Sequence, residues 1–157
     1  MKKLALALLT SIVFLPALQA QKSATVIYGE LGGPGIASFN VDMRFAKKED
    51  GFGFRAGVGG FSIEENSGIL VVPLGINFIV GKDGKNYFET GAGVSFLSDN
   101  NESNNNQIFG ATFGHLTIGY RRQRKEGGFF FKAAVTPVFG TFGFFPFYGG
   151  VGFGYKF

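Results

Sequence analysis

The amino-acid sequence predicts an all-β fold, an eight-stranded antiparallel up-and-down transmembrane β-barrel. Three observations carry that reading. The chain of 157 residues holds 26 glycines and 21 phenylalanines, with neither cysteine nor tryptophan. Turn signals cut residues 24–157 into eight pieces of strand length. Within those pieces apolar residues recur at every second position, the period of a strand whose two faces meet different surroundings.

Composition narrows the choice. Glycine at this density would cost a helix about 1 kcal/mol per interior position relative to alanine. So many phenylalanines exceed what one close-packed core of this size can hold. Many must point outward, and outward phenylalanine is stable only against an apolar phase. Beyond residue 20 no apolar run approaches the roughly 20 residues of a spanning helix. A closed barrel is then the spanning structure that leaves no backbone polar group stranded in lipid.

The first twenty residues, MKKLALALLTSIVFLPALQA, read separately. Lys2 and Lys3 form a positive region, Leu4 to Leu15 an apolar run, and Ala17 to Ala20 a small-residue cleavage site. Residues 1–20 are therefore expected to be a secretory signal peptide cut before Gln21, and 21–157 the barrel domain. With no cysteine, lipoprotein attachment and disulfides are excluded. Setting aside Lys2 and Lys3 leaves 13 of the 15 Lys+Arg against 11 Asp+Glu. That balance gives no electrostatic case for nucleic acid.

The eight pieces run 24–32, 36–46, 52–64, 69–81, 86–98, 108–122, 129–140 and 145–157. The breaks between them are GGPG, KKEDG, EENSG, KDGK, DNNESNNNQ, RQRKEGG and TFGFF, most of them with the glycine, Asp, Asn or Lys of hairpin turns. In the second piece Ala37, Phe39, Val41, Met43 and Phe45 oppose Ser38, Asn40, Asp42 and Arg44. In the third, Phe52, Phe54, Ala56 and Val58 oppose Gly53, Arg55, Gly57 and Gly59. The fifth sets Phe88, Thr90, Ala92, Val94 and Phe96 against Tyr87, Glu89, Gly91, Gly93 and Ser95. The polar faces are glycines, serines and isolated charges, the population of a narrow, crowded tube. A soluble lipocalin-like barrel would place the apolar faces inward instead. With both termini on the periplasmic side, KKEDG, KDGK and RQRKEGG become short inner turns and DNNESNNNQ a long outer loop. GGPG is an outer break no longer than the inner ones.

The last piece places Phe147, Gly149, Val151, Phe153, Tyr155 and Phe157 on one face, against Tyr148, Gly150, Gly152, Gly154 and Lys156. Val151, Phe153, Tyr155 and the terminal Phe157 resemble the C-terminal signal by which bacterial outer-membrane proteins are inserted. The resemblance implies an outer-membrane location, with outer-membrane lipid and the barrel assembly machinery as partners. Residues 28–45, YGELGGPGIASFNVDMRF, resemble the opening hairpin of small outer-membrane β-barrel proteins of Bacteroidetes type. That resemblance implies a fold and a location. It implies no activity, since most members of the group are of unknown function.

Candidate chemistry lies mainly inside. Glu30, Asp42, Arg44, Arg55, Glu89 and Lys132 fall on predicted inner faces. An eight-stranded barrel has room there for side chains and not for a channel, so a paired charge network is expected. In it Arg44 and Arg55 lie within reach of Asp42, Glu30 and Glu89. His115, the only histidine, shares a strand face with Thr117. Eight-stranded barrels that deacylate lipid A use a His-x-Ser pair with a carboxylate, but here threonine stands for serine and no outward acid adjoins it. ELGGPG lacks the Lys-Ser/Thr of a phosphate loop, and DNNESNNNQ lacks the spaced carboxylates of a calcium loop. No metal or cofactor is expected. GTFGFFPF, residues 140–147, reads as an aromatic girdle, the alternative being a contact surface for lipopolysaccharide or a partner. The function expected is that of an outer-membrane barrel without an open pore, in a structural, envelope or surface-interaction role and not an enzyme. The alternatives are a narrow channel or small-solute-binding barrel, and a lipid A-modifying hydrolase using His115.

Overall fold

The computed structural model describes residues 23–64, 67–99 and 111–157. The predicted signal peptide and all but the first residue of DNNESNNNQ lie outside the described residues. The strands are β1 (Thr25–Gly32), β2 (Ala37–Arg44), β3 (Gly51–Glu64), β4 (Ser67–Val80), β5 (Asn86–Asp99), β6 (Ala111–Arg122), β7 (Gly128–Val135), β8 (Val138–Gly140), β9 (Gly143–Phe145) and β10 (Gly149–Lys156). Strands β1 to β7 and β10 close an eight-stranded antiparallel barrel, each paired with its neighbour. Closure comes from β10 lying against β1, with Val26 opposite Lys156 and Gly32 opposite Gly150. The backbone N–H of Phe157 adds a last bond to the Thr25 carbonyl at 2.9 Å.

The alternation read from the sequence is the alternation of the wall. On β2, Phe39 is 75% exposed and Asn40 1%. Leu31, Phe52, Ile76, Phe88, Phe129 and Phe153 are likewise outward and exposed, while Glu30, Asp42, Arg55, Glu89, Arg121 and Lys132 are buried. Glycines make this interior possible. A Cβ on Gly93 would fall 2.5 Å from His115 Nε2, and one on Gly53 would strike the Arg44 guanidinium. Large polar side chains therefore lie flat across bare backbone.

Two expectations are corrected. Residues 129–140 and 145–157 do not form two continuous strands. Pro137 has no N–H to continue a ladder, and its carbonyl instead accepts from Leu116 N–H at 2.9 Å. The chain swings onto β6, where Val138 and Phe139 face His115 and Gly114, and turns back as the short β8–β9 hairpin. TFGFF is therefore part of a hairpin and not a simple break, and β10 begins only at Gly149. Phe147 stands before that strand, 96% exposed.

The GGPG break also has an unforeseen course. It forms a 3-10 turn, Gly33–Gly35, whose three residues are all buried. Gly32 and Gly33 take φ of 74° and 67°, and Ile36 takes 65°, a conformation costly for a β-branched residue. The turn is held by Gly32 N–H to the Ile36 carbonyl at 2.6 Å and by Ser95 Oγ donating to the Pro34 carbonyl at 2.9 Å. A connection this short folds into the barrel mouth. That explains why it need be no longer than the turns at the other end.

Candidate functional site: the filled lumen

The interior charges arise on six strands and meet in two groups. In the larger group Asp42 of β2 receives Arg44 at 2.5 Å and Arg121 of β6 at 3.0 Å on the same oxygen. Its other oxygen accepts from Asn77 Nδ2 of β4, and Asn77 in turn accepts from Arg44. Arg44 also donates to the Gly51 carbonyl at 2.9 Å. Glu89 of β5 holds Lys132 of β7 at 2.6 Å and lies 3.5 Å from Arg121. Arg121 completes its fork through Nε to Gln123 Oε1 at 2.7 Å.

The smaller group lies toward the inward turn. Arg55 of β3 pairs with Glu30 of β1 and donates to Asn40 Oδ1 at 2.8 and 3.1 Å. Asn40 passes the chain on to Ser38 Oγ at 3.0 Å. Tyr28 and Phe130, with ring centroids 4.9 Å apart, lie between the groups. Arg55 lies 5.6 Å from the Tyr28 ring and Arg121 4.9 Å from that of Phe130, so each cation also rests on a π-face.

All six sequence-predicted charges thus face the lumen, but they divide. Asp42, Arg44, Glu89 and Lys132 fall in one group, and Glu30 and Arg55 in the other. Arg55 opposes Asp42 in the ladder yet takes Glu30, reaching along the barrel instead of across it. The sequence reading missed Arg121, which joins the two carboxylates of the larger group, and Asn77. The signal was present: His115, Thr117, Gly119 and Arg121 fall on one alternating face of β6.

Both ends of this interior are occupied. At one end sits the Gly33–Gly35 turn. At the end bearing the termini, Lys156 Nζ reaches Glu49 at 2.6 Å and the carbonyls of Arg124 and Lys125 at 3.0 and 2.7 Å. Gln123 ties in the Glu49 carbonyl at 3.0 Å. Near the rim Asp83 caps its own turn, and the N–H groups of Asn86 and then Lys85 hold its carboxyl down to about 2.

His115 and Thr117 point into the lumen, 2% and 5% exposed. Ser95 Oγ lies 3.3 Å from the imidazole Nδ1. The same hydroxyl donates to the Pro34 carbonyl at 2.9 Å. The four C-terminal positions Val151, Phe153, Tyr155 and Phe157 all point outward, 40 to 61% exposed. Tyr155 and Phe157 stack edge-on at 5.1 Å.

Comparison with known proteins bears on the fold. The chain is similar in structure to the N-terminal β-barrel domain of OprF from Pseudomonas aeruginosa, with a TM-score of 0.59 and 18% sequence identity over 87% of this chain and 98% of that one. No family model and no curated protein sequence matches.

Proposed function

We propose that this chain is an outer-membrane β-barrel whose interior is filled, serving the envelope as a structural or surface-interaction element and neither as an open pore nor as an enzyme. The observation that carries this reading is inverted polarity. Every strand of the closed wall turns large apolar side chains outward, and Glu30, Asp42, Arg44, Arg55, Glu89 and Arg121 are buried inside. A soluble ligand-carrying barrel has the reverse arrangement. Water would leave that apolar wall unsatisfied, whereas lipid suits it. The likeness to an outer-membrane barrel domain supports the same location.

On this reading residues 1–20 direct export, the termini lie in the periplasm, and Val151, Phe153, Tyr155 and Phe157 form the insertion signal read by the assembly machinery. The GGPG hairpin supports a place among the small Bacteroidetes-type barrels. Fractionation tests the location: the protein should require detergent for release from the outer membrane, and recovery in the soluble periplasm would overturn the reading. Planar-bilayer recording tests the filling, since stable single-channel conductance would favour a narrow channel. That second reading has one observation behind it. Tyr28 OH, Tyr87 OH and Glu89 Oε2 are buried without a hydrogen-bond partner, which is where internal water or a small solute would bind.

A further inference from the structure

The charges outside the lumen are sorted by end. The turns beside the termini, 45–50, 81–85 and 123–127, carry the exposed Lys47, Lys48, Lys82, Arg124 and Lys125. None of these five forms an ion pair among the described residues. With Lys85 the same turns hold six cations against four acids, Glu49, Asp50, Asp83 and Glu126. Glu49 faces Lys156, and Asp83 is used by its own turn. The described segments at the opposite end, 32–36, 60–64, 67–70, 96–99, 111–112 and 136–148, contain neither lysine nor arginine.

We propose that this basic rim binds the anionic headgroups of the lipid leaflet surrounding the terminal end of the barrel. The three turns join β2 to β3, β4 to β5 and β6 to β7, so the cations are spread around the closed circumference. A docked protein would use one side, whereas a leaflet meets all sides. Just within the rim Phe45, Phe52, Phe88, Phe129, Tyr155 and Phe157 form an exposed aromatic band. Aromatics of that kind sit at headgroup level, and Lys47 follows Phe45 by two residues, within reach of lipid phosphates. The proposal rests on the membrane reading above, and its test separates the two.

The protein, purified from membranes in detergent, is reconstituted in phosphatidylcholine vesicles containing trace spin-labelled phosphatidylglycerol or spin-labelled phosphatidylcholine. Insertion is scored in the same samples by heat-modifiable migration on a gel. At low salt the anionic probe should associate about five-fold more strongly, the effect of one basic residue near a charged surface, or more. The preference should fall toward unity in 1 M salt, where the screening length is about 3 Å. It should also fall in the Lys47→Gln, Lys48→Gln, Lys82→Gln, Lys125→Gln variant, with insertion unchanged. Equal association of both probes with inserted wild type would overturn the proposal, as would a preference that survives the four substitutions. If lipid selectivity is absent and the solubilised barrel instead co-sediments with dextran sulfate, the rim serves a soluble polyanion and the lipid assignment falls. Failure of wild type to insert would remove the membrane reading itself.

Discussion

Asp42 and Phe39 lie three residues apart on β2, and their surroundings have almost nothing in common. Asp42 is fully buried and binds groups from three strands: Arg44 on β2, Asn77 on β4 and Arg121 on β6. Phe39 faces outward, and its ladder partners are Gly29 and Val58 on the adjoining strands. The lumen is thus held largely by pairings between strands that are not neighbours in the sheet, each specific to its partners. The wall is held by local backbone ladders, and its side chains need only be apolar. A substitution inside should therefore disturb several strands, and one outside should cost little beyond its own area.

The strongest test of that contrast is Asp42→Ala. It leaves Arg44 and Arg121 in a dry interior without the carboxylate they share, at a cost of about 3–5 kcal/mol. The check is the urea midpoint of the refolded barrel in lipid vesicles. A loss below about 1 kcal/mol would mean that water screens the lumen, and the channel reading would gain. Arg55→Ala comes next, at about 3 kcal/mol, since Glu30 has no second cation among the described residues. The Asn40 amide, released from Arg55, can turn to soften that loss. Lys132→Met should cost less, about 1–3 kcal/mol, because Glu89 keeps Arg121 at 3.5 Å and Asn77 at 3.3 Å. If Lys132→Met proves as damaging as Asp42→Ala, the larger group has no redundancy and the picture of shared partners is wrong.

These tests lean on features that were unequally legible in the sequence. The wall was legible because alternation is a direct consequence of strand geometry: once Phe39, Val41 and Met43 share a face, Asn40, Asp42 and Arg44 must share the other. The inward charges followed by the same rule. Which of them pair did not follow, since partners such as Glu30 and Arg55 meet across registers and rotamers that period 2 does not encode. Arg121 was missed because it opens the basic run RRQRK, which looks like turn chemistry. The β8–β9 hairpin was hidden because Val138 to Phe145 carries the same apolar and glycine mixture as a wall strand, and Pro137 alone marked the departure. The inward course of GGPG depends on space left by distant residues, such as Gly150, where a Cβ would fall 2.6 Å from Gly33 N. No local pattern reports such space.

The smallest effect on stability belongs to the wall, and it separates folding from assembly. Val151→Ala removes part of a side chain already 40% exposed, for about 1 kcal/mol or less. Phe157→Ala removes a ring that is 61% exposed and stacked on Tyr155, and spares the backbone bond to Thr25. Its cost to the finished barrel should be about 1–2 kcal/mol, so the folded fraction should keep nearly normal heat resistance on a gel. If Phe157 is also the end of the insertion signal, its loss acts earlier, before β10 has closed on β1. The amount of barrel in the outer membrane should then fall for Phe157→Ala and hold for Val151→Ala. Quantitative immunoblotting of membrane fractions, with both variants expressed alike, makes the comparison. Equal yields would reduce Phe157 to one more wall residue, with β10 doing no more than closing the sheet.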